Sequence, residues 1–137
     1  MKDDIDFLDV DDVLVLHERQ LARYGGGGGV RDPGALQAAV AVARATFDGE
    51  LLHADLYAMA AACGFHICQD HPFLDGNKRT ALLAAVVFLD LNGVGIADPE
   101  GKLYHAMLGI AEGRLDKAGL AVLLRSLQAD DGRPPAE

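Results

Sequence analysis

Apolar residues recur at helical spacing along most of this chain, beginning at Val10. In the first segment, one face is formed at three- and four-residue intervals by Val10, Val13, Leu14, His17, Leu21 and Tyr24. This period is typical of an amphipathic α-helix. Five consecutive glycines follow at 25–29. Because glycine is among the poorest helix formers, the run ends that helix and predicts a loop.

Five further segments repeat the helical pattern. The second helix is predicted after the N-cap Asp32 and the first-turn Pro33, and the third over 55–69. The fourth is predicted from Asn77 to Asn92-Gly93, the fifth after Asp98-Pro99 and the sixth after the N-cap Asp116. Their inward faces are predicted to comprise Leu36, Ala39, Val40, Ala43 and Phe47; Leu56, Met59, Ala60, Cys63 and Ile67; Leu103, Ala106, Met107 and Ile110; and Leu120, Leu123, Leu124 and Leu127.

The segment that starts at Asn77 is apolar nearly all round, which predicts a buried central helix. Together the six segments predict an all-α fold, a bundle of about six helices packed around that central helix. We predict one domain over residues 1–129 and a polar, disordered tail over 130–137. The short apolar run at 94–96 is too brief to predict a sheet.

Charge and composition narrow the possible functions. The net charge of −9 and the pI of about 4.8 disfavour binding to a phosphate backbone, and the chain has no tryptophan to stack on bases. The longest apolar run, 81–91, is too short to span a bilayer and contains Asp90. We therefore expect a cytoplasmic protein that binds neither nucleic acid nor membrane. Cys63 and Cys68 are expected to be free thiols there.

The candidate chemistry lies in HPFLDGNKRT, residues 71–80, where a loop becomes the central helix. The first N–H groups of a helix have no partner within the helix and attract anions. Gly76 permits close approach of a ligand to the backbone. Lys78 and Arg79 add positive charge, and arginine can grip a phosphate with two donors. These features predict a polyphosphate site.

The remaining motif residues complete this chemistry. Asp75 beside phosphates favours an intervening Mg²⁺, which binds one or two carboxylates and phosphate oxygens. His71 is a candidate general base, since histidine titrates near neutral pH. Asn77 can position either a phosphate or the loop. Phe73 is expected to anchor the loop in the core.

Structural roles, rather than catalytic or metal-binding ones, are favoured for the other polar residues. His17 is either a hydrogen-bonded core histidine, which we favour, or a pocket residue. A zinc site at His66 is disfavoured by the spacing to Cys68 and Asp70. His53 and His105 are expected at the surface, and Arg31 as a solvated loop charge. The glycine run is favoured as a flexible loop over a phosphate loop, since no Lys-Ser/Thr pair follows and no strand precedes it.

The motif resembles the signature of the Fic/Doc family, His-Pro-Phe-x-Asp-Gly-Asn-Lys-Arg. HERQLARYGGGGGVRDPG and FLDLNG occur in the order and at about the spacing of the death-on-curing branch, so the resemblance covers nearly the whole chain. It implies a compact helical bundle that uses ATP and Mg²⁺. It also implies that His71 is the base, that Asp75 is the Mg²⁺ ligand, and that the nucleotide phosphates are bound by Gly76, Asn77, Lys78 and Arg79.

Three positions bear on the reaction that this resemblance implies. Most Fic enzymes, which transfer AMP, have glycine at the position of Lys78, and many have an arginine at the position of Leu82. Doc-like members carry the lysine and are similar to kinases that phosphorylate a threonine of elongation factor Tu. Gly76 is the typical Fic residue, whereas Doc toxins can carry alanine. We expect γ-phosphate transfer, with AMP transfer or a non-catalytic binding module as alternatives.

Control of such a toxin is expected to come in trans. Many Fic proteins resemble one another in an inhibitory helix of the form Ser/Thr-x-x-x-Glu-Gly/Asn. Thr46 and Glu50 have its spacing, but Leu51 follows. Glu112 precedes a glycine, but Leu108 occupies the Ser/Thr position. We therefore predict a separate antitoxin protein whose C-terminal segment folds as a helix beside the site.

Overall fold

The computed structural model describes residues 5–53 and 55–129, and within these ranges the chain is predominantly helical. The helices are α1 (Val10–Tyr24), α2 (Pro33–Ala41), α3 (Leu56–Asp70), α4 (Asn77–Leu91), α5 (Lys102–Ala111) and α6 (Lys117–Ser126), with a short 3₁₀ turn at Val42–Arg44. The only strands in the described part are β1 (Thr46–Phe47) and β2 (Glu50–Leu51), which pair antiparallel with Thr46 opposite Leu51. The predicted all-α bundle of six helices is confirmed.

Aspartates begin most of these helices. Asp32, Asp55 and Asp116 each accept a hydrogen bond from the N–H three residues later, which satisfies a donor that the helix itself leaves unpaired. The predicted start of the fifth helix at Asp98-Pro99 is too early, because α5 begins only at Lys102. Even so, the Asp98 carboxylate accepts hydrogen bonds from the N–H groups of Lys102 and Leu103.

Helix α4 lies at the centre of the bundle and packs against α1, α3 and α5. Its partner α3 contributes a run of buried small residues, Ala60 to Gly64. A Cβ added at Gly64 would lie 3.3 Å from the carbonyl oxygen of Ala81. Small residues therefore bring the two helix backbones close together and place the α3–α4 loop at one end of the core.

Two predicted apolar faces were partly wrong. In α1 the buried residues are Val13, Leu16, His17 and Gln20, whereas Tyr24 is 54% exposed. Phe47, predicted to continue the α2 stripe, is 72% exposed in the β hairpin. The helix ends at Ala41, so the 3.6-residue period no longer applies at Phe47.

Two further sequence predictions concern thiols and membrane spans. Cys63 and Cys68 are buried and free, and burial raises the pKa of the Cys63 thiol to about 12. Within residues 5–53 and 55–129, no helix has the length and apolar character needed to cross a bilayer. The predicted tail at 130–137 lies outside the described residues.

Candidate active site

The α3–α4 loop carries the motif. Helix α3 ends at Asp70, and His71 takes a left-handed conformation with φ of 48°, consistent with the bias against right-handed helix before proline. The His71 side chain is exposed. Phe73 is only 1% exposed, which confirms its predicted role as an anchor of the loop. The buried ring thus holds the loop in the core while His71 faces solvent.

Asn77 ties the loop to the start of α4. Its side-chain oxygen accepts a hydrogen bond from the Phe73 N–H, and its amide nitrogen donates to the Phe73 carbonyl, both at 3.0 Å. Of the two roles predicted for this side chain, loop positioning is the one that these contacts serve. Any phosphate contact from Asn77 is therefore expected to come from its backbone N–H.

His17 of α1 contacts the same loop from within the core. It is buried, and its Nε2 lies 2.8 Å from the carbonyl oxygen of Asp75. Because a carbonyl only accepts, Nε2 must carry the proton. The imidazole also stacks on the Phe73 ring with centroids 3.8 Å apart. The prediction of a hydrogen-bonded core histidine is confirmed.

The glycine loop lies against the motif rather than standing free. Leu74 N–H donates to the Gly29 carbonyl at 3.1 Å, and Gly27 N–H donates to Asp75 Oδ2 at 3.2 Å. A Cβ added at Gly26 would lie 2.7 Å from the same Oδ2. The prediction of a simple flexible loop is therefore incomplete, since these glycines orient the carboxylate proposed to bind Mg²⁺.

Arg31 is exposed, as predicted for a solvated loop charge, but its side chain also forms hydrogen bonds that the sequence did not predict. Its Nε donates to the His71 carbonyl and its Nη2 to the Asp70 carbonyl, each at 2.7 Å. The backbone N–H groups of Arg31 and Asp32 both donate to the Pro72 carbonyl. These four hydrogen bonds form a clasp that holds the end of α3 and the backbone of His71.

A pocket of about 310 Å³ opens where these segments meet. It is lined by Gln20, Tyr24, Gly25, Gly26, Asp75, Gly76, Asn77, Lys78, Arg79 and Tyr104. Five predicted site residues, 75–79, therefore share one cavity. His71 is not among the lining residues and lies on the exposed part of the same loop. Sequence reasoning missed the contributions of Gln20, Tyr24 and Tyr104.

Gln20 explains the glycine at position 76. The Gln20 side chain is 2% exposed, and a Cβ added at Gly76 would lie 1.9 Å from its Nε2. Gly76 also has φ of 80°, a conformation that favours glycine. Both backbone shape and the buried amide therefore require glycine here.

The pocket residues fit a magnesium–phosphate ligand. Asp75 is exposed, and its two carboxylate oxygens each accept one backbone N–H, from Gly27 and from Gly76. Each oxygen keeps a lone pair for a cation. The described residues contain no group of three metal-ligating side chains. A single carboxylate is enough for Mg²⁺ when phosphate oxygens and water complete its coordination.

A second, more apolar cavity of about 440 Å³ lies between α1 and α4. We call it the α1–α4 groove. Its lining comprises Leu16, Arg19, Gln20, Arg23, Tyr24, Arg79, Leu82, Leu83 and Val87. Gln20, Tyr24 and Arg79 line both cavities, so these three side chains separate the groove from the pocket at residues 75–79.

The other histidines lie away from the pocket lining. His66 contacts Asp70 at 3.3 Å and Lys117 at 3.2 Å. His105 is exposed, as predicted. His53 is half-buried rather than at the surface, and desolvation, aided by the positive charge of Lys117, lowers its pKa.

Together the fold and site define a small helical protein with a pocket lined by Lys78 and Arg79 at the N-terminus of its central helix. The Fic/DOC family matches residues 7–89. The chain belongs to this family, and the resemblance noted in its sequence is confirmed. It is 36% identical over 118 residues to Protein kinase doc of Escherichia phage P1, spanning 85% of this chain and 91% of the relative.

A second relative is Toxin Doc of Mycolicibacterium smegmatis. The chain is 42% identical to it over 92 residues, which span 67% of this chain and 68% of the relative. Both relatives belong to the Doc branch by name. The protein is therefore similar to Doc proteins across the motif and most of the bundle.

Proposed function

We propose that this protein is a Doc-like toxin that transfers the γ-phosphate of ATP to a hydroxyl group of a translation factor. The acceptor suggested by the resemblance is a threonine of elongation factor Tu. The observation that carries the proposal is the side chain of Lys78 in the lining of the pocket beside Gly76 and Arg79. The names of the relatives, a protein kinase and a toxin, support it.

Lys78 matters because of the space that it occupies. Most Fic enzymes have glycine there, which leaves room for phosphate. A lysine side chain fills that room and adds a positive charge, so the nucleotide is expected to bind in the opposite direction. Its γ-phosphate then faces the acceptor, which makes phosphate transfer the expected reaction instead of AMP transfer.

Phosphate binding is assigned to the first turn of α4. The backbone N–H groups of Asn77, Lys78 and Arg79 lie where a helix leaves its donors unpaired. The Arg79 guanidinium can bind phosphate oxygens with two donors, and Lys78 acts as a point charge. When bound at Asp75, Mg²⁺ neutralises phosphate charge in the transition state.

His71 is assigned as the general base. In the proposed step the acceptor oxygen attacks the γ-phosphorus, and the bond from that phosphorus to the β–γ bridging oxygen breaks. The hydroxyl proton passes to His71 and ADP leaves. The exposed position of His71 suits an acceptor carried by another protein, since a buried base could not reach it.

The proposed reaction is tested with ATP labelled at either the α- or the γ-phosphate. The purified chain is incubated with bacterial lysate and Mg²⁺, and labelled proteins are separated by size. We expect the γ-label to transfer to a protein the size of elongation factor Tu. Transfer of the α-label would instead establish AMP transfer, for which the Fic-like Gly76 is the supporting residue.

A related active toxin serves as the positive control, and Asp75→Ala of this chain as the negative one. Transfer of neither label by this chain, while the control toxin is active, would support the non-catalytic binding module. The two labels therefore separate all three functions in one experiment.

The antitoxin is proposed to bind the α1–α4 groove. The apolar side chains of Leu16, Leu82, Leu83 and Val87 suit the apolar face of a helix. Arg19, Arg23 and Arg79 line the same groove in a chain whose net charge is −9. An acidic amphipathic segment fits this combination, and one of its carboxylates can approach Arg79.

In neither internal candidate for an inhibitory helix does the glutamate lie within a helix. Thr46 and Glu50 lie on the two strands of the β hairpin. Glu112 follows the end of α5 and forms an ion pair with Arg114. These positions support inhibition by a separate protein.

Expression of the chain alone in bacteria is expected to stop growth, and co-expression with the adjacent small open reading frame is expected to restore it. The matched control is His71→Ala, which should permit growth without the second protein. Arg19→Glu with Arg23→Glu should weaken the rescue, because it reverses charge in the groove. A purified chain that becomes active only after Glu50 or Glu112 is replaced would show instead that the inhibitor is internal.

A further inference from the structure

We propose that Tyr24 and Tyr104 are positioning residues for Arg79. Their rings hold its guanidinium in the pocket while leaving its N–H donors available to a phosphate group. This inference rests on the proposed binding of ATP and assigns a role to two residues that the motif does not include.

Three helices meet at this arginine. Arg79 lies in the first turn of α4, Tyr24 is the last residue of α1, and Tyr104 lies near the start of α5. The Arg79 Cζ lies 3.7 Å from the centroid of the Tyr24 ring and 4.4 Å from that of Tyr104. Both distances are well inside the range of a cation–π contact.

The geometry of the guanidinium gives these contacts a specific consequence. The group is planar, and its five N–H donors point outward in that plane. Aromatic rings attract it through its faces, so they restrict its position without using the donors. An arginine held in this way has lost side-chain freedom before its ligand arrives, which reduces the entropic cost of binding.

An ion pair would also hold an arginine in place, but it would occupy some of the N–H donors. Arg125 contacts the Tyr57 ring at 4.5 Å, but its Nη2 also donates to Asp55. In the described part of the chain, Arg79 has no carboxylate within ion-pair distance, although the protein is strongly acidic. Among the described residues, two aromatic rings rather than an ion pair therefore hold the Arg79 guanidinium.

The role is tested by calorimetric titration with Mg²⁺ and ATP. We expect Tyr24→Leu and Tyr104→Leu each to raise the Kd about two- to fivefold, the size expected for loss of one cation–π contact. Tyr24→Phe and Tyr104→Phe should bind with nearly the wild-type Kd, because the ring and not the hydroxyl makes the contact. Arg125→Gln is the matched control, since it removes an arginine–tyrosine pair outside the pocket.

A double-mutant cycle separates positioning from packing. In an Arg79→Gln background, the two leucine substitutions should cause no further loss of affinity, because the group that they position is absent. An equal loss in both backgrounds would overturn the inference, as would leucine variants that bind ATP as well as wild type. Thermal unfolding checks that the variants fold. If Tyr104→Leu does not fold, the result for Tyr24→Leu, at an exposed position, decides the question alone.

Titration with inorganic triphosphate distinguishes failure of this inference from failure of the proposed function. If the wild type binds triphosphate but not ATP, the proposed phosphate transfer from ATP is wrong, and the same cycle run with triphosphate still decides the role of the tyrosines. If it binds neither, both proposals are overturned.

Discussion

Replacing His71 with alanine is expected to lower the rate of phosphate transfer by about 10²–10⁴-fold, the contribution typical of a general base. Binding of ATP should remain close to wild type, because His71 does not line the pocket that contains the residues proposed to bind phosphate. The rate is measured as initial γ-label transfer, and binding by calorimetry. The Arg31 clasp bonds to the backbone of His71 rather than to its ring, so the loop should keep its shape in the variant.

Two other variants make the result specific. Asp75→Ala should weaken Mg²⁺-dependent ATP binding itself, because it removes the carboxylate proposed to hold the cation. His105→Ala removes another exposed histidine, and it should leave both rate and binding unchanged. If His71→Ala loses ATP binding as severely as Asp75→Ala, the division of roles within the motif is wrong.

Gly76→Ala is expected to lower the free energy of unfolding by roughly 2–5 kcal/mol, a sum of two costs. A left-handed conformation costs a non-glycine residue about 1–2 kcal/mol, and overpacking a buried site costs about 1–3 kcal/mol. The second cost arises because the added Cβ would lie 1.9 Å from Gln20 Nε2. Urea denaturation followed by circular dichroism measures the change.

Gly113 provides a matched control for the backbone cost. Its φ of 79° is almost that of Gly76, but no atom lies within 4 Å of an added Cβ. Gly113→Ala should therefore cost only about 1–2 kcal/mol. In a Gln20→Ala background the extra cost of Gly76→Ala should disappear, giving a coupling energy of about 1 kcal/mol or more. A coupling energy near zero would refute the steric explanation.

The contact between Gly76 and Gln20 also bears on a difference between this motif and that of Doc toxins. Alanine can occupy the position of Gly76 in those proteins, whereas here the Gln20 amide occupies the space that its methyl group needs. The glycine therefore has a local packing reason and need not indicate AMP transfer.

Helix positions were predictable because their signals are local. Asp32, Asp55 and Asp116 lie next to the apolar periods that they cap, and the glycine after Tyr24 ends α1. Prediction failed at Asp98 and at Phe47, where the local sequence pattern suggested a helix that the structure does not have at that residue. Asp98 reaches the N–H groups of α5 across an intervening turn, and a regular period does not reveal that the chain has already left the helix before Phe47.

The candidate site was predictable only where its residues are contiguous. The segment 75–79 lines one pocket because a single helix start presents it. Gln20 and Tyr24 of α1 and Tyr104 of α5 line the same pocket, and no spacing in the sequence relates them to the motif. The hydrogen bonds of Arg31 were not predicted because its acceptors are the backbone carbonyls of Asp70 and His71, and no sequence pattern marks a backbone carbonyl.

The attachment of the glycine loop has a consequence for the speed of ligand capture. A run of five glycines loses more chain entropy on ordering than any other segment of this length. The hydrogen bonds of Gly27 and Gly29 with the motif offset this entropy loss when the protein folds. The loop is then already ordered, and we expect no separate ordering step before or after the proposed binding of ATP. The association rate constant should then be governed by diffusion and by the local positive potential of Lys78 and Arg79.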